Sequence, residues 1–230
     1  MKQAIEFTHQ QYPYLSVGPR RKSMTSYMVA VTQGAALIRL GKNEHLIPQG
    51  HGFWVPFECL HALTILPGSQ IKRVDISARI THPVCTEAGF FSLSPLVSVL
   101  LTELENTAEE QQIWDGPYGR LLAVLKDQLI NIKVDNKSLC PDLTKHYQES
   151  LKIALNGDRV TDQPAAKVIS EKLHINLGEL EITLLMREAL RLARSGRKPE
   201  KIAEELSVDI KYLETLSLPI LGKPLSALND

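Results

Sequence analysis

Six basic residues fall within fifteen positions: Arg187, Arg191, Arg194, Arg197, Lys198 and Lys201. The first three are spaced by four and three, which puts them on one stripe of a helix. Gly196 reads as a C-cap after them, and Pro199 as the first residue of a new helix. Lys and Arg clustered in this way suit the neutralisation of phosphates, whatever the base sequence. The plainer alternative is a solvated helix face, with Glu188 partly cancelling the charge.

A repeat brackets the stripe. Ile169-Ser170-Glu171-Lys172-Leu173-His174-Ile175-Asn176-Leu177-Gly178-Glu179-Leu180 returns 33 residues later as Ile202-Ala203-Glu204-Glu205-Leu206-Ser207-Val208-Asp209-Ile210-Lys211-Tyr212-Leu213. Ile and Leu four apart share a helix face. Ser170 and Ala203 let a second helix approach. Ile175 and Val208 fill the turn, and Asn176 and Asp209 are good N-caps for the next helix. That is the grammar of a helix-turn-helix unit, twice over. A plain helical hairpin needs the same cores and caps, and a solenoid would need a third copy.

If the units read DNA, the first recognition helix offers Asn176, Glu179, Glu181 and Thr183. The second offers Lys211, Tyr212, Glu214, Thr215 and Ser217, then meets Pro219, which should break it. Base edges are read best by Arg, Lys, Asn and Gln, and these faces are poor in them. Residues 145–230 carry 13 basic and 13 acidic groups. That balance predicts weak specific binding, binding that needs a dimer, or its loss.

The N-terminal half offers less chemistry. A metal site on the strands would need histidines and a carboxylate converging from neighbouring strands, with His61 as a candidate from a later one. Tyr27 to Val31 supplies neither, and His45 and His51 flank a turn, so no facial triad is readable. No Ser-His-Asp or Cys-His spacing and no Gly-rich phosphate loop is present. The chain reads as a non-enzyme without metal or cofactor. His61 is first a hydrogen-bonded corner residue and Trp54 first a core residue. Each has lining an effector site as its second reading.

These residues need elements to position them. Short apolar runs predict strands at 27–31, 35–40, 45–47, 53–56, 62–66 and 71–76, a small antiparallel barrel or sandwich. After Ser92 the period changes. Ser94-Pro95 starts a helix carrying Leu96, Leu100 and Leu104. A second runs over 118–132 with Leu121, Leu122, Leu125 and Leu129. From Leu143 onward all is helix and turn. Twenty-six basic and 26 acidic residues give zero formal charge, which neither supports nor excludes nucleic acid. Three cysteines without ligand spacing fit a reduced cytoplasmic compartment. Met1 to Gln10 has no signal-peptide pattern, and no run reaches the roughly 18 to 20 apolar residues of a membrane span.

The sequence resembles the AraC-type transcriptional regulators over most of its length. Leu46 to Pro56, followed by His61, is similar to that family's cupin segment. Leu93-Ser94-Pro95-Leu96 and Arg120 to Leu125 resemble the starts of its two following helices, and the repeat resembles its paired helix-turn-helix domain. The resemblance implies an α+β chain: a cupin-like sensor barrel over 1–92, a helical dimerisation segment over 93–133, a linker over 134–142, and an all-α double helix-turn-helix domain over 143–230. It implies a ligand-responsive, homodimeric regulator that binds DNA and a small effector. The chain departs from the family at Glu58 and Leu60, where glycine and proline are usual. The two units are also closer together, as though the first recognition helix were fused to the linker helix. An interaction protein that has lost DNA contact is the alternative, and a cupin enzyme a more distant one.

Overall fold

A computed structural model describes residues 4–80 and 84–228. The leader reading over Met1–Gln10 therefore falls partly on residues outside the described set. The strands are β1 (Ile5–Tyr12), β2 (Ser16–Val17), β3 (Arg21–Lys22), β4 (Thr25–Gln33) and β5 (Ala35–Leu40). They continue with β6 (Asn43–Pro48), β7 (Gly52–Val55), β8 (Leu60–Ile65), β9 (Ser69–Ser77) and β10 (Gly89–Phe91). The helices are α1 (Pro95–Asn106), α2 (Pro117–Ile130), α3 (Lys145–Leu155), α4 (Gln163–Leu173), α5 (Leu177–Arg194), α6 (Pro199–Leu206) and α7 (Ile210–Leu221).

The fold is mixed, sheets first and then helices. The expected barrel is not closed. One sheet runs β1-β9-β4-β7-β10 and the other β2-β8-β5-β6 with β3 on β8, and no ladder among the described residues joins them. A physical reason lies in residues 134–142. Asp135 pairs with Phe90 at the β10 edge, and the Leu46 N–H of β6 donates to Leu139 O at 3.0 Å. The segment occupies one edge of each sheet, where a closing ladder would have to form. It is tied down further by His45, whose Nδ1 donates to Ser138 O, and by His51 against Asp142.

The core is built in layers. Tyr27, Val29, Val31, Phe53 and Val55 face Ala36, Ile38, Ile47 and Ile65 between the two sheets. The alternate residues of the first sheet, Met28, Ala30, Trp54, Val74 and Ile76, pack under Leu100, Leu104, Leu122 and Leu125 of α1 and α2. The alternate residues of the second, Ala35, Leu37 and Leu46, pack under Leu151, Leu155, Ile169, Leu173, Leu180 and Leu184 of α3, α4 and α5. Both sheets are thus buried on both faces, so their strands read as near-continuous apolar runs. A fourth core joins α5 to α6 and α7 through Met186, Ala189, Leu190, Ile202 and Leu213.

Three local readings need comment. β1 was not expected, because its Ile5 and Phe7 alternation fades into His9-Gln10-Gln11. Pro219 does not break α7, which runs on to Leu221 and ends at Gly222 in the left-handed region. The proline stands so near the C-terminus that it removes one hydrogen bond from a turn about to end. Glu58, where the family resemblance implies glycine, has φ +58°. A side chain there carries a cost of about 1–3 kcal/mol.

Two outcomes follow in equilibrium unfolding by urea. Glu58→Gly is expected to stabilise the protein, by about 1 kcal/mol. Leu37→Ala empties a site with no exposed surface and is expected to cost about 2–5 kcal/mol.

Candidate nucleic-acid interface and effector site

The two repeat copies fold with the same turn. α4 ends at His174 (φ 52°, ψ 38°) and α6 ends at Ser207 (φ 55°, ψ 40°), both in the left-handed region. Asn176 Oδ1 then accepts from the N–H groups of Gly178 (2.9 Å) and Glu179 (3.3 Å). Asp209 Oδ1 accepts from Lys211 (2.8 Å) and Tyr212 (3.3 Å) in the same way. Ile175 and Val208, between cap and turn, are half-buried. The helix after the first turn is long, because α5 runs unbroken from Leu177 to Arg194.

The two second helices differ in what covers them. Thr183 of α5 is buried, its hydroxyl donating to Glu179 O, and Leu180 and Leu184 beside it lie in the core shared with the second sheet. Asn176 and Glu179 stand at the open N-terminus. On α7, Lys211, Tyr212 and Thr215 are all exposed.

The basic stripe is largely engaged within the chain. Arg187 grips Glu44 of β6 with both terminal nitrogens, Nη1 on Oε1 and Nη2 on Oε2 at 3.0 Å. Arg191 is forked on Glu188, with Nε and Nη2 at 2.6–2.9 Å. Arg194 donates to Val17 O at 2.9 Å, Arg197 binds Glu205 and Lys201 binds Glu204. Lys198 is exposed at the start of α6. Arg191 holds the Glu188 carboxyl below the usual carboxylate range. Nothing in the sequence pointed to Glu44, which lies 143 residues from Arg187.

Trp54 and His61 are not brought together. Trp54 is closed under α1 and α2, its Nε1 donating to Cys85 O at 2.8 Å. His61 is buried on the other side of the first sheet. Its Nε2 accepts from the Tyr27 hydroxyl, and its Nδ1 donates to Cys59 O at 3.0 Å. The Arg73 guanidinium lies 3.7 Å from the Tyr27 ring centroid and forks onto Asp75. Burial pushes the Tyr27 phenol up and the His61 imidazole down. Among the described residues, no group of three or more His, Cys, Asp or Glu side chains is placed to hold a metal.

Two hollows lie where sheet meets helix. One, of about 560 Å³, is walled by Arg39, Leu155, Leu184, Arg187, Val208 and Tyr212 among others. The other, of about 430 Å³, lies between Gly34, Leu66 and Pro67 on one side and Asn176, Glu179, Thr183 and Ile220 on the other. No described helix is long and apolar enough to cross a membrane.

His45 and His61 are both buried, and burial holds both imidazoles below their ordinary titration range. The unfolded chain takes up these protons near about pH 6.5, while the folded chain resists them. Their contribution to stability is present above that pH and is lost as pH falls below it. The thermal midpoint is expected to drop between pH 7.5 and 5.5, and to drop less in His45→Gln. Calorimetry at matched ionic strength checks this.

No family model matches the chain, and no curated protein matches it by sequence. Solved structures match over nearly its whole length. Apo ToxT K231A from Vibrio cholerae strain SCE256 is 10% identical with a TM-score of 0.41, over 97% of this chain and 96% of that one. Wild-type ToxT from the same strain, with an unsaturated fatty acid bound, is 11% identical with a TM-score of 0.38, over 98% and 96%. A cupin superfamily protein from Desulfitobacterium hafniense is 12% identical with a TM-score of 0.31, over 34% of this chain and 71% of that one. The structural neighbours are thus ToxT, an AraC-family regulator, along nearly the full chain, and cupin-superfamily proteins over its N-terminal third.

Proposed function

We propose that this chain is an effector-responsive transcription regulator whose two helix pairs are helix-turn-helix units. The observation that carries the reading is the repeated turn. Two helix pairs, 33 residues apart, share a left-handed residue, a branched plug and a capping side chain on the first turn of the next helix. A helix held in this way presents its first turns outward, as insertion into a major groove requires.

In this arrangement DNA contact falls to the second pair. Lys211, Tyr212 and Thr215 would meet the groove, and Lys198 and Lys201 at the start of α6 the phosphates. Asn176, Glu179, Thr183 and Arg187 belong to a pair that lies against the sheet. Arg191, Arg194, Arg197 and Lys201 would reach phosphates only by giving up the partners they hold. For the effector, the hollow of about 560 Å³ is a more open seat than Trp54 or His61, both closed in the core. It touches sheet and helices at once, so its occupant would act on their relative placement. Leu96 and Val99 of α1 and Val124 of α2 leave apolar side chains in water, which favours a second copy as partner.

The second reading is a regulator that no longer touches DNA and works by pairing with another protein. The internal pairing of the stripe favours it. Fluorescence polarisation on a duplex from the region upstream of the protein's own gene, at low salt, separates the two. Under the first reading Lys198→Ala weakens binding to all duplexes alike and flattens the salt slope by about 1. Binding no stronger than to unrelated duplexes, with or without added small molecules, rejects the DNA reading.

A further inference from the structure

Three successive basic residues, Arg20, Arg21 and Lys22, stand exposed at β3, and no ion pair among the described residues engages them. The C-terminal stripe differs, because Arg187, Arg191, Arg197 and Lys201 all hold carboxylates. β3 is an outer strand on β8, and charge on such a strand can simply guard a free edge. Large apolar side chains beside it need another reason. Lys22 lies opposite Leu60. Just beyond, Ser23 N–H donates to Cys59 O at 3.0 Å and Glu58 N–H donates to Ser23 O at 2.9 Å. These bonds gather Met24, Phe57 and Leu60 around the basic run. Met24 is 78% exposed, and Phe57 and Leu60 are nearly half exposed. Glu58 is the one acid in residues 19–24 and 56–60.

The connector between α1 and α2 has the opposite sign. Residues 107–116 carry Glu109, Glu110 and Asp115 and no base. All three acids are exposed, and no ion pair among the described residues engages them. Between them Ile113 is 60% exposed, with Trp114 more than a third exposed beside it. The connector is held in shape. Gln112 N–H donates to Glu109 O at 3.1 Å, Gly116 N–H to Ile113 O at 3.0 Å, and Gln112 Nε2 to Thr107 O at 3.2 Å. Gly119 of α2 admits the Trp114 carbonyl so closely that a Cβ there would fall 1.7 Å from its oxygen. The apolar pair is thus set outward before any partner arrives, which lowers the entropy cost of binding.

We infer that the acidic connector of one copy docks on the basic turn of a second copy, with Trp114 among Met24, Phe57 and Leu60. The charges are complementary, each surface carries apolar side chains, and Trp and Arg are the usual anchors of such contacts. Nucleic acid or an anionic lipid surface would also answer the basic turn, but neither accounts for the acidic connector. The two surfaces differ, so the contact runs head to tail and builds a ring or an open chain. It uses neither Leu96 and Val99 of α1 nor Val124 of α2, and it does not rest on the DNA reading. Exposed pairs contribute little each, so the association is weak and sensitive to salt.

Sedimentation equilibrium of the full chain over a range of concentrations tests this. At low ionic strength the average mass is expected to pass twice the chain mass, and high salt to reverse the rise. One variant reverses the turn (Arg20→Glu, Arg21→Glu, Lys22→Glu) and another reverses the connector (Glu109→Lys, Glu110→Lys, Asp115→Lys). Each alone is expected to weaken association at least about tenfold, the sum of three exposed pairs of middling strength. An equal mixture of the two is expected to restore it, since reversed turn meets reversed connector and intact turn meets intact connector. A misfolded variant cannot be rescued in this way. Trp114→Ala is expected to weaken association and leave its salt dependence in place. A mass that stops at one or two chains at every concentration, association that neither set of reversals alters, or a mixture that stays apart overturns the proposal. Flotation with anionic phosphatidylglycerol vesicles covers the other source of negative charge. Flotation of the parent that the turn variant loses, without self-association, assigns the turn to a lipid surface and overturns the contact between copies.

Discussion

Leu37 and Ile38 are neighbours on one strand, point to opposite faces, and neither touches water. The rest of the structure depends on that constraint. A sheet with one solvated face needs one covering layer, and a sheet apolar on both faces needs two. Residues of the first sheet pack with Ile38, while Leu37 packs with residues of α3, α4 and α5 and with Cys140 and Leu143. The sheets and the C-terminal helices therefore share a core and are not joined through residues 134–142 alone. The second sheet draws part of its stability from α3, α4 and α5, and the helices draw theirs from it.

α5 bears the consequence. It serves three masters along eighteen residues: the sheet through Leu180 and Leu184, the second helix pair through Met186 and Ala189, and Glu44 through Arg187. These contacts lie along one unbroken helix from Leu177 to Arg194, so the sheet and the second helix pair pack on the same element. Covering the first pair while leaving the second open is then a direct result of which face of α5 is apolar where.

Much of the layout was legible because it is periodic. Six of the strands, the serine-capped α1, α2 and the 33-residue repeat follow from spacing two, spacing four and capping chemistry. The unbroken α5 follows from the shortened distance between repeat copies. What was not legible is non-local. Whether a row of arginines faces phosphate or carboxylate depends on which surface lies opposite, and Glu44 is one acidic residue among 26 in the sequence. β1 lacked a clean alternation, and the closed barrel failed because the connecting segment around Asp135 and Leu139 took one edge of each sheet. Pro219 misled for a simpler reason: the cost of a proline depends on how many turns of helix follow it.

The pairing of the stripe also changes what zero net charge means. In sequence, 13 basic against 13 acidic groups from Lys145 onward predicted specific binding that is weak, needs a dimer or is lost. In three dimensions the cancellation is specific. Arg191 meets Glu188 and Lys201 meets Glu204 within α5 and α6, Arg197 ahead of α6 meets Glu205, and these are surface pairs worth little each. A phosphate can displace such partners at small cost, as salt does. Arg187 differs because its carboxylate is buried and belongs to the sheet. In a pair so placed, removing either partner strands the other charge, which costs far more than an exposed pair contributes.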